Sequence, residues 1–293
     1  MSVGASITAS LLGLGLLTAQ TPSPPQPASS SPAVMVYEQR PLRVPVICRA
    51  ADFNAAGIEC SEEEPCRIFL ELTAVDAAGP KVVITGNLHT PSATLSSIVL
   101  ASGDGGVSWR EPVARVAGAG FEAVQLLNEQ YGWIAAQPQA QFPTDPYLLA
   151  TTDGGATWQK QPIWSEDGRA GLLQQFLFDS REHGFVLIDR SQAGEPTDRY
   201  ELYETLNSGS SWMLREVNSR PITPKWQPRR NAEWRLRVDD KARTYELERR
   251  LGEGWRRVAN FRTEVGECKA PETKEASQPP ADPAGAPGSA GNP

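Results

Sequence analysis

Short apolar runs separated by polar turns fill the chain from residue 66 to residue 262, and they come in sets of three. Phe121 to Leu127, Tyr131 to Ala136 and Tyr147 to Ala150 make one set; Leu172 to Phe178, His183 to Ile188 and Tyr200 to Glu204 make the next. Runs of this length, rich in aliphatic and aromatic residues and bounded by Gly, Asp, Asn and Ser, suit a pleated sheet better than a helix. The second run of each set opens on Gly and an aromatic residue, Gly132-Trp133 and Gly184-Phe185. An earlier set (Arg67 to Thr73, Lys81 to Gly86, Ser97 to Ala101) and a later one (Trp226, Trp234 to Val238, Thr244 to Arg249) keep the same order. The pattern predicts an all-β domain of consecutive antiparallel strands, with almost no helix outside the N-terminal leader.

Between the third run of a set and a fourth strand lies a motif, Ser/Thr-x-Asp-x-Gly-x-x-Trp. It is intact at Ser102 to Trp109 and at Thr151 to Trp158. A third copy, Thr205 to Trp212, has Asn207 where the others have Asp104 and Asp153; a worn fourth, Glu248 to Trp255, keeps only Gly252 and Trp255. Successive Trp residues lie 49, 54 and 43 positions apart, which suits a repeat of four strands. The short Asp or Asn side chain can accept hydrogen bonds from its own turn. Gly106, Gly155, Gly209 and Gly252 fill the slot most in need of a positive φ. Trp109, Trp158, Trp212 and Trp255 carry a large apolar body into the next strand and are expected at equivalent buried positions. Four such repeats predict a β-propeller with four-stranded antiparallel blades. Four blades are recognisable, and Val34 to Tyr37 with Val44 to Ile47 offer strands for a fifth built from the termini.

These boxes resemble those of the Asp-box (BNR) repeat β-propeller superfamily. The phrase from Tyr131-Gly132-Trp133 to Trp158 is most similar to the photosystem II stability and assembly factor type of repeat, which non-photosynthetic bacteria also carry. The resemblance implies the fold and leaves the activity open, because sialidases, sortilin-type receptors and some xyloglucan hydrolases share the box. It also implies that the boxes lie on the blade rim, away from the central channel where the superfamily's active sites lie.

The ends of the 293-residue chain read differently. Residues 1–19 hold a small-residue and Leu-rich run ending in Thr18-Ala19 and are expected to be a signal peptide, cleaved or retained as a weak anchor. No Cys follows that run, so a lipid anchor is not expected. Residues 20–33 form a Pro/Ser-rich linker, 34–268 the propeller, and 269–293 a Pro/Ala/Gly-rich tail expected to be disordered. No transmembrane span is expected after leader removal. The net charge of −7 argues against nucleic acid as a partner. The local run of arginines between Lys225 and Arg257 is expected to be solvent-facing alternation on the last blade.

Four cysteines in an exported chain predict two disulfides, with three pairings open. Cys60–Cys66 with Cys48–Cys268 is the pairing that ties a short loop and joins the ends of the repeat region. With only His89 and His183 and no CxxC, a zinc site is not expected. Arg43-Val44-Pro45 is similar to the phrase that supplies a substrate-carboxylate arginine in sialidases, but the residues after Pro45 do not continue that pattern. Tyr200-Glu201 and Tyr245-Glu246 are neighbours on strands, so each pair points to opposite faces. No nucleophile elbow, phosphate loop or cofactor motif is present, so no catalytic residue and no cofactor are assigned. The expectation is an exported, periplasmic or extracellular, monomeric scaffold that binds a protein or glycan partner at its blade loops. The alternative is a sialidase-like glycan hydrolase on a reduced propeller.

Overall fold

The computed structural model describes residues 34–139, 144–166, 168–193, 199–226 and 231–269. The leader, the linker and all of the tail beyond Lys269 lie outside these residues. An N-terminal arm carries a two-residue strand β1 (Met35–Val36) and one helix, α1 (Ala50–Ala56). The first sheet comes next, with β2 (Cys66–Ala78), β3 (Lys81–His89) and β4 (Thr94–Ser102), then a short β5 (Ser108–Trp109). The second sheet is β6 (Ala119–Leu126), β7 (Gly132–Pro138), β8 (Tyr147–Thr151) and β9 (Gln159–Pro162). The third is β10 (Leu172–Phe178), β11 (Gly184–Asp189), β12 (Tyr200–Thr205) and β13 (Met213–Asn218). The last contains β14 (Trp234–Asp239), β15 (Thr244–Leu251) and β16 (Gly254–Arg262), and β17 (Glu264–Cys268) ends the described chain. Each sheet is an antiparallel meander, as blades of a β-propeller are.

The helix was not expected. Its signal is nevertheless local: an Ala-rich stretch, Ala50 to Ala56, closed by Gly57 in the left-handed conformation. The termini do not build a fifth blade. Instead β1 pairs with β5 of the first blade, Leu42 bridges Phe261 on β16, and β17 joins the edge of β2. The fourth blade shows three strands among the described residues. Trp226, expected on its first strand, stacks on Phe185 of blade 3 instead.

Three hydrophobic clusters hold the blades together. One joins blades 1 and 4 through Leu70, Leu100, Trp109, Leu247 and Phe261. A second joins blades 1 and 2 through Val83, Phe121 and Ile134, and a third joins blades 2 and 3 through Trp133, Phe176 and Phe178. Both disulfides form, Cys48–Cys268 and Cys60–Cys66. The first closes a loop of 220 residues, worth about 4–5 kcal/mol in the chain-entropy view.

The boxes do the same work three times. The Ser102 hydroxyl donates to Asp104 Oδ1 (2.7 Å) and accepts the Gly106 amide (2.8 Å), while Asp104 accepts the Ser108 amide (2.9 Å) and hydroxyl (2.5 Å). Thr151, Asp153, Gly155 and Thr157 repeat that pattern. In the third box Asn207 accepts the Ser211 amide but donates its own Nδ2 to the Ser211 hydroxyl (2.8 Å). Gly106, Gly155 and Gly209 all have positive φ, between 82° and 97°, as the slot requires. Each box also grips the first hairpin of its own blade, through Gly105 N to Pro80 O, Gly154 N to Gln130 O and Ser208 N to Glu182 O (2.8–2.9 Å).

Two expectations for the boxes need correction. The fourth copy is not a box: Leu251 pairs with Gly254, so Gly252 and Glu253 form a two-residue hairpin turn. The four Trp residues are also unequal. Trp109 is 1% exposed and donates to Gly106 O, whereas Trp158, Trp212 and Trp255 are half-buried. Trp109 gains its burial from Phe261 of blade 4, which meets it edge to face at 5.3 Å.

Candidate functional site

The first strands of blades 1 to 3 share a feature that periodicity alone does not show. Each has a β-bulge at an equivalent place, and the extra residues are Thr73, Glu122 and Gln174. A bulge re-aims one side chain away from the strand's alternation. Thr73 uses this to donate to Phe121 O (2.6 Å), and Gln174 to donate to Asp189 (3.0 Å). Glu122 is the one carboxyl among the three.

Glu122 is exposed at the bulge, beside Gly120, where an added Cβ would fall 2.5 Å from Glu122 Oε1 and 2.9 Å from Gln139 Nε2. Asn87, buried on β3, holds the bulge by accepting the Phe121 amide (2.9 Å) and also bonds the Glu122 carboxyl. Burial and the nearby charge of Glu71 on β2 push the Glu122 carboxyl above the usual carboxylate range, outweighing the Asn87 bond. Burial and the same Glu71 also raise the hydroxyl of Tyr245 on β15, against the Leu72 amide that bonds it. Glu122 is thus a raised carboxyl with a second carboxyl near enough to act on it, two groups of the kind acid–base chemistry uses.

Arg43 lies elsewhere. With Arg243, Arg262, Glu264 and Glu267 it lines an open cleft of about 400 Å³ where the N-terminal arm, the β14–β15 turn and β17 meet. Arg43, Arg243 and Arg262 are exposed, and none makes a hydrogen-bonded ion pair among the described residues. Glu264 is held below its usual range chiefly by hydrogen bonds from Arg67 (2.6 and 3.2 Å), with Arg243 and Arg43 adding attraction from farther away. The arginines of blade 4 itself behave otherwise. Arg237 and Arg257 both hold Glu246, and Arg235 holds Glu248 (2.7 Å), so the expected surface alternation is a cross-strand ion-pair ladder.

The tyrosine–glutamate neighbours split across faces as expected, with Glu201 and Glu246 buried and Tyr200 and Tyr245 half-buried. A different pair does form, two residues apart on one face: the Tyr203 hydroxyl donates to Glu201 (2.5 Å) and accepts the Trp164 indole N–H (2.8 Å). Glu201 is further held by Arg169 and Arg190 (2.9 and 3.0 Å). Burial and then Glu201 push the Tyr203 hydroxyl up to about 12, the reverse of an activated nucleophile. This network braces blade 3. The bulge carboxyl Glu122 was missed in the sequence because it is a single charge inside an apolar run; that lone charge was its only signal.

No family model matches the chain, and no curated protein matches it. Among solved structures it is similar to the GH74 xyloglucanase from Xanthomonas campestris (17% identity over 47% of this chain and 19% of that one, TM-score 0.33). It is also similar to the α-L-arabinanase of Penicillium chrysogenum (14% identity, 77% and 66% coverage, TM-score 0.35). The α-L-arabinofuranosidase of Fusarium graminearum compares in the same way (11% identity, 68% and 62% coverage, TM-score 0.34). The chain spans between about a fifth and two-thirds of the length of these proteins.

Proposed function

We propose that the protein is an exported, non-catalytic Asp-box propeller that binds an anionic group of a protein or glycan partner in the cleft of Arg43, Arg243 and Arg262. One observation carries this. Three arginines that make no hydrogen-bonded ion pair among the described residues line one open cleft, beside Glu264 and Glu267, in a chain whose net charge is −7. The neighbouring ladder shows what the same residue type does when it is structural, with Glu246 and Glu248 taken up by Arg235, Arg237 and Arg257. Guanidinium forks suit carboxylate, sulfate or phosphate oxygens. The leader-like 1–19 segment and the two disulfides support export. Among the described residues no helix is long and apolar enough to cross a membrane.

Calorimetric titration with acidic peptides and acidic oligosaccharides tests the proposal. Arg43→Ala should weaken binding at least tenfold, while Arg235→Ala should leave it unchanged; equal effects of the two would overturn the assignment.

A second reading, a glycan-acting hydrolase, draws on the bulge carboxyl. Glu122 would serve as the acid and Glu71, whose charge acts on it, as the second carboxylate of the two that glycosidic cleavage uses. It predicts turnover of an aryl glycoside that Glu122→Gln abolishes without loss of folding. Turnover that survives Glu122→Gln would dismiss it.

A further inference from the structure

We propose that the two disulfides form an exchangeable set: reducing Cys60–Cys66 moves the second bond from Cys48–Cys268 to Cys66–Cys268 and frees Cys48. Cys66 and Cys268 are register partners across the β2–β17 pair, so their side chains leave the same face of the sheet. Facing residues in antiparallel strands have Cα atoms about 4.5–5.5 Å apart, inside the span of about 4.4–6.8 Å that a disulfide bridges. Each nevertheless bonds a different partner, Cys60 and Cys48 respectively. All four cysteines belong to one hydrophobic cluster, Cys268 within it and Cys48, Cys60 and Cys66 packed against it.

Access decides the order of events. Cys268 is 1% exposed and Cys48 partly exposed, so one sulfur of that bond is shielded, whereas Cys60 and Cys66 are both partly exposed and enclose the open loop Glu62 to Pro65. A dithiol reductant therefore reaches Cys60–Cys66 first. It delivers two electrons and two protons to that bond and closes into its own disulfide. Cys66, as the thiolate, then attacks Cys268 Sγ. The Cys66–Cys268 bond forms as Cys48–Cys268 breaks, and the electron pair leaves on Cys48 Sγ, which takes up the proton that Cys66 gave up. This second step involves no net oxidation. The strand pair β2–β17, until then joined by backbone pairing, gains a covalent clamp. The N-terminal arm loses its disulfide to β17 and keeps the β1–β5 pairing, the Leu42–Phe261 bridge and the packing of Leu42, Val44 and Phe53. Arg43 sits on that arm, so the exchange would also loosen the arginine cleft. That consequence alone rests on the proposed function.

Limited reduction of the mature protein with dithiothreitol, followed by alkylation and peptide mapping, tests the exchange without any ligand. The expected product carries label on Cys48 and Cys60 with a Cys66–Cys268 linkage, in at least threefold excess over any other partly reduced form. Label on Cys60 and Cys66 with Cys48–Cys268 intact as the main partly reduced form would overturn the proposal. Cys60→Ser checks the same step from the oxidised side. With Cys66 unpaired from the start, the label should appear on Cys48, and label confined to Cys66 would count against exchange. Should that variant not fold, the wild-type titration decides.

Discussion

Blade 2 joins blades 1 and 3 in one way, and blade 4 is held in another. Asp76, Gln125 and Leu177 occupy one equivalent position on the first strands, opposite Val83, Trp133 and Phe185. Asp76 accepts the Leu126 amide of blade 2 (2.7 Å), and Gln125 both accepts from and donates to Phe178 of blade 3 (2.9 and 2.6 Å). Asn87 and Gln137 form a second equivalent pair, which hold Phe121 and Leu173 of the following blade. In blade 3 the matching residues are Leu177 and Asp189, and Asp189 turns to Gln174 and Ser191 of its own blade. Among the described residues neither staples blade 4, and no hydrophobic cluster spans blades 3 and 4.

Blade 4 is instead anchored to blade 1, by Trp109 against Phe261, by Asn231 donating to Asp76 (2.8 Å) and by the chain running from β16 into β17. The difference shows that the repeat is continued by a few side chains that bond the next blade's backbone. Where those change, as at Leu177 and Asp189, another device must take over, and here it is the termini and a disulfide.

The largest expected effect breaks the anchor. Trp109→Ala should destabilise by about 3–5 kcal/mol, as truncation of a fully buried aromatic does. Trp255→Ala should lose less than about 1 kcal/mol, because that ring is half-buried, with the Arg235 guanidinium over it at 4.1 Å. Denaturant titrations of both variants measure the gap, and equal losses would erase the distinction between box and hairpin. Next in size, Gln125→Leu installs the blade 3 residue in blade 2. It leaves the buried Phe178 amide and carbonyl without partners, at about 1–3 kcal/mol each. Gln174→Leu, an exposed change, should stay within about 0.5 kcal/mol. A loss below about 1 kcal/mol for Gln125→Leu would mean that the staples do not hold the blades.

Acid sharpens the comparison between boxes. Burial raises the Asp104 carboxyl, but bonds from Ser108, Ser102 and Val107 outweigh this and hold it at about 2; Asp153 is held at about 2 chiefly by Thr157. Folded values below the ordinary carboxylate range mean stability that is present above about pH 4 and lost as pH falls toward 2. The double variant Asp104→Asn, Asp153→Asn copies the third box and should lose less melting temperature between about pH 4 and pH 2 than the parent does. An unchanged slope would refute the role given to the carboxylates.

The smallest effect has the opposite sign. His183 bonds Glu204 and Asp179 (2.8 and 2.9 Å), and Glu204 first of all raises its ring above the usual histidine value. Its contribution is complete below about pH 6.5 and fades as pH rises through the higher folded value. The melting-temperature advantage over His183→Gln should therefore shrink between about pH 6 and pH 9. An advantage that grows with pH would show that the ring acts as a neutral hydrogen-bonding group.

Much of this architecture was legible before any coordinates, because its determinants are local. The boxes need only a hydroxyl, a carboxylate or amide, and a glycine in one turn, so Ser102 to Trp109 announces its own geometry. Alternation and Gly-aromatic starts likewise mark the strands of blades 2 and 3 almost residue by residue. The fourth box misled because Gly252 and Trp255 also fit a plain hairpin, and only the pairing of Leu251 with Gly254 tells the two apart. Arg43 could be singled out, but Arg243 and Arg262, some 200 residues away in the chain, could not be assigned to it.

Residue order was enough to specify the repeat, the antiparallel strands and the three working boxes, while the disulfide pairing, left open among three, was settled by the fold. Which Trp is buried was settled only in the folded molecule, because burial depends on the facing blade: Phe261 closes over Trp109, while the other three rings remain half-buried. Folding also settled that a bulge falls at Glu122 and that Glu71, on another blade, lies near enough to act on its carboxyl. Hydrogen bonds within a turn are set by residues a few positions apart, whereas packing and charge proximity are set by distances in space, which sequence order does not record.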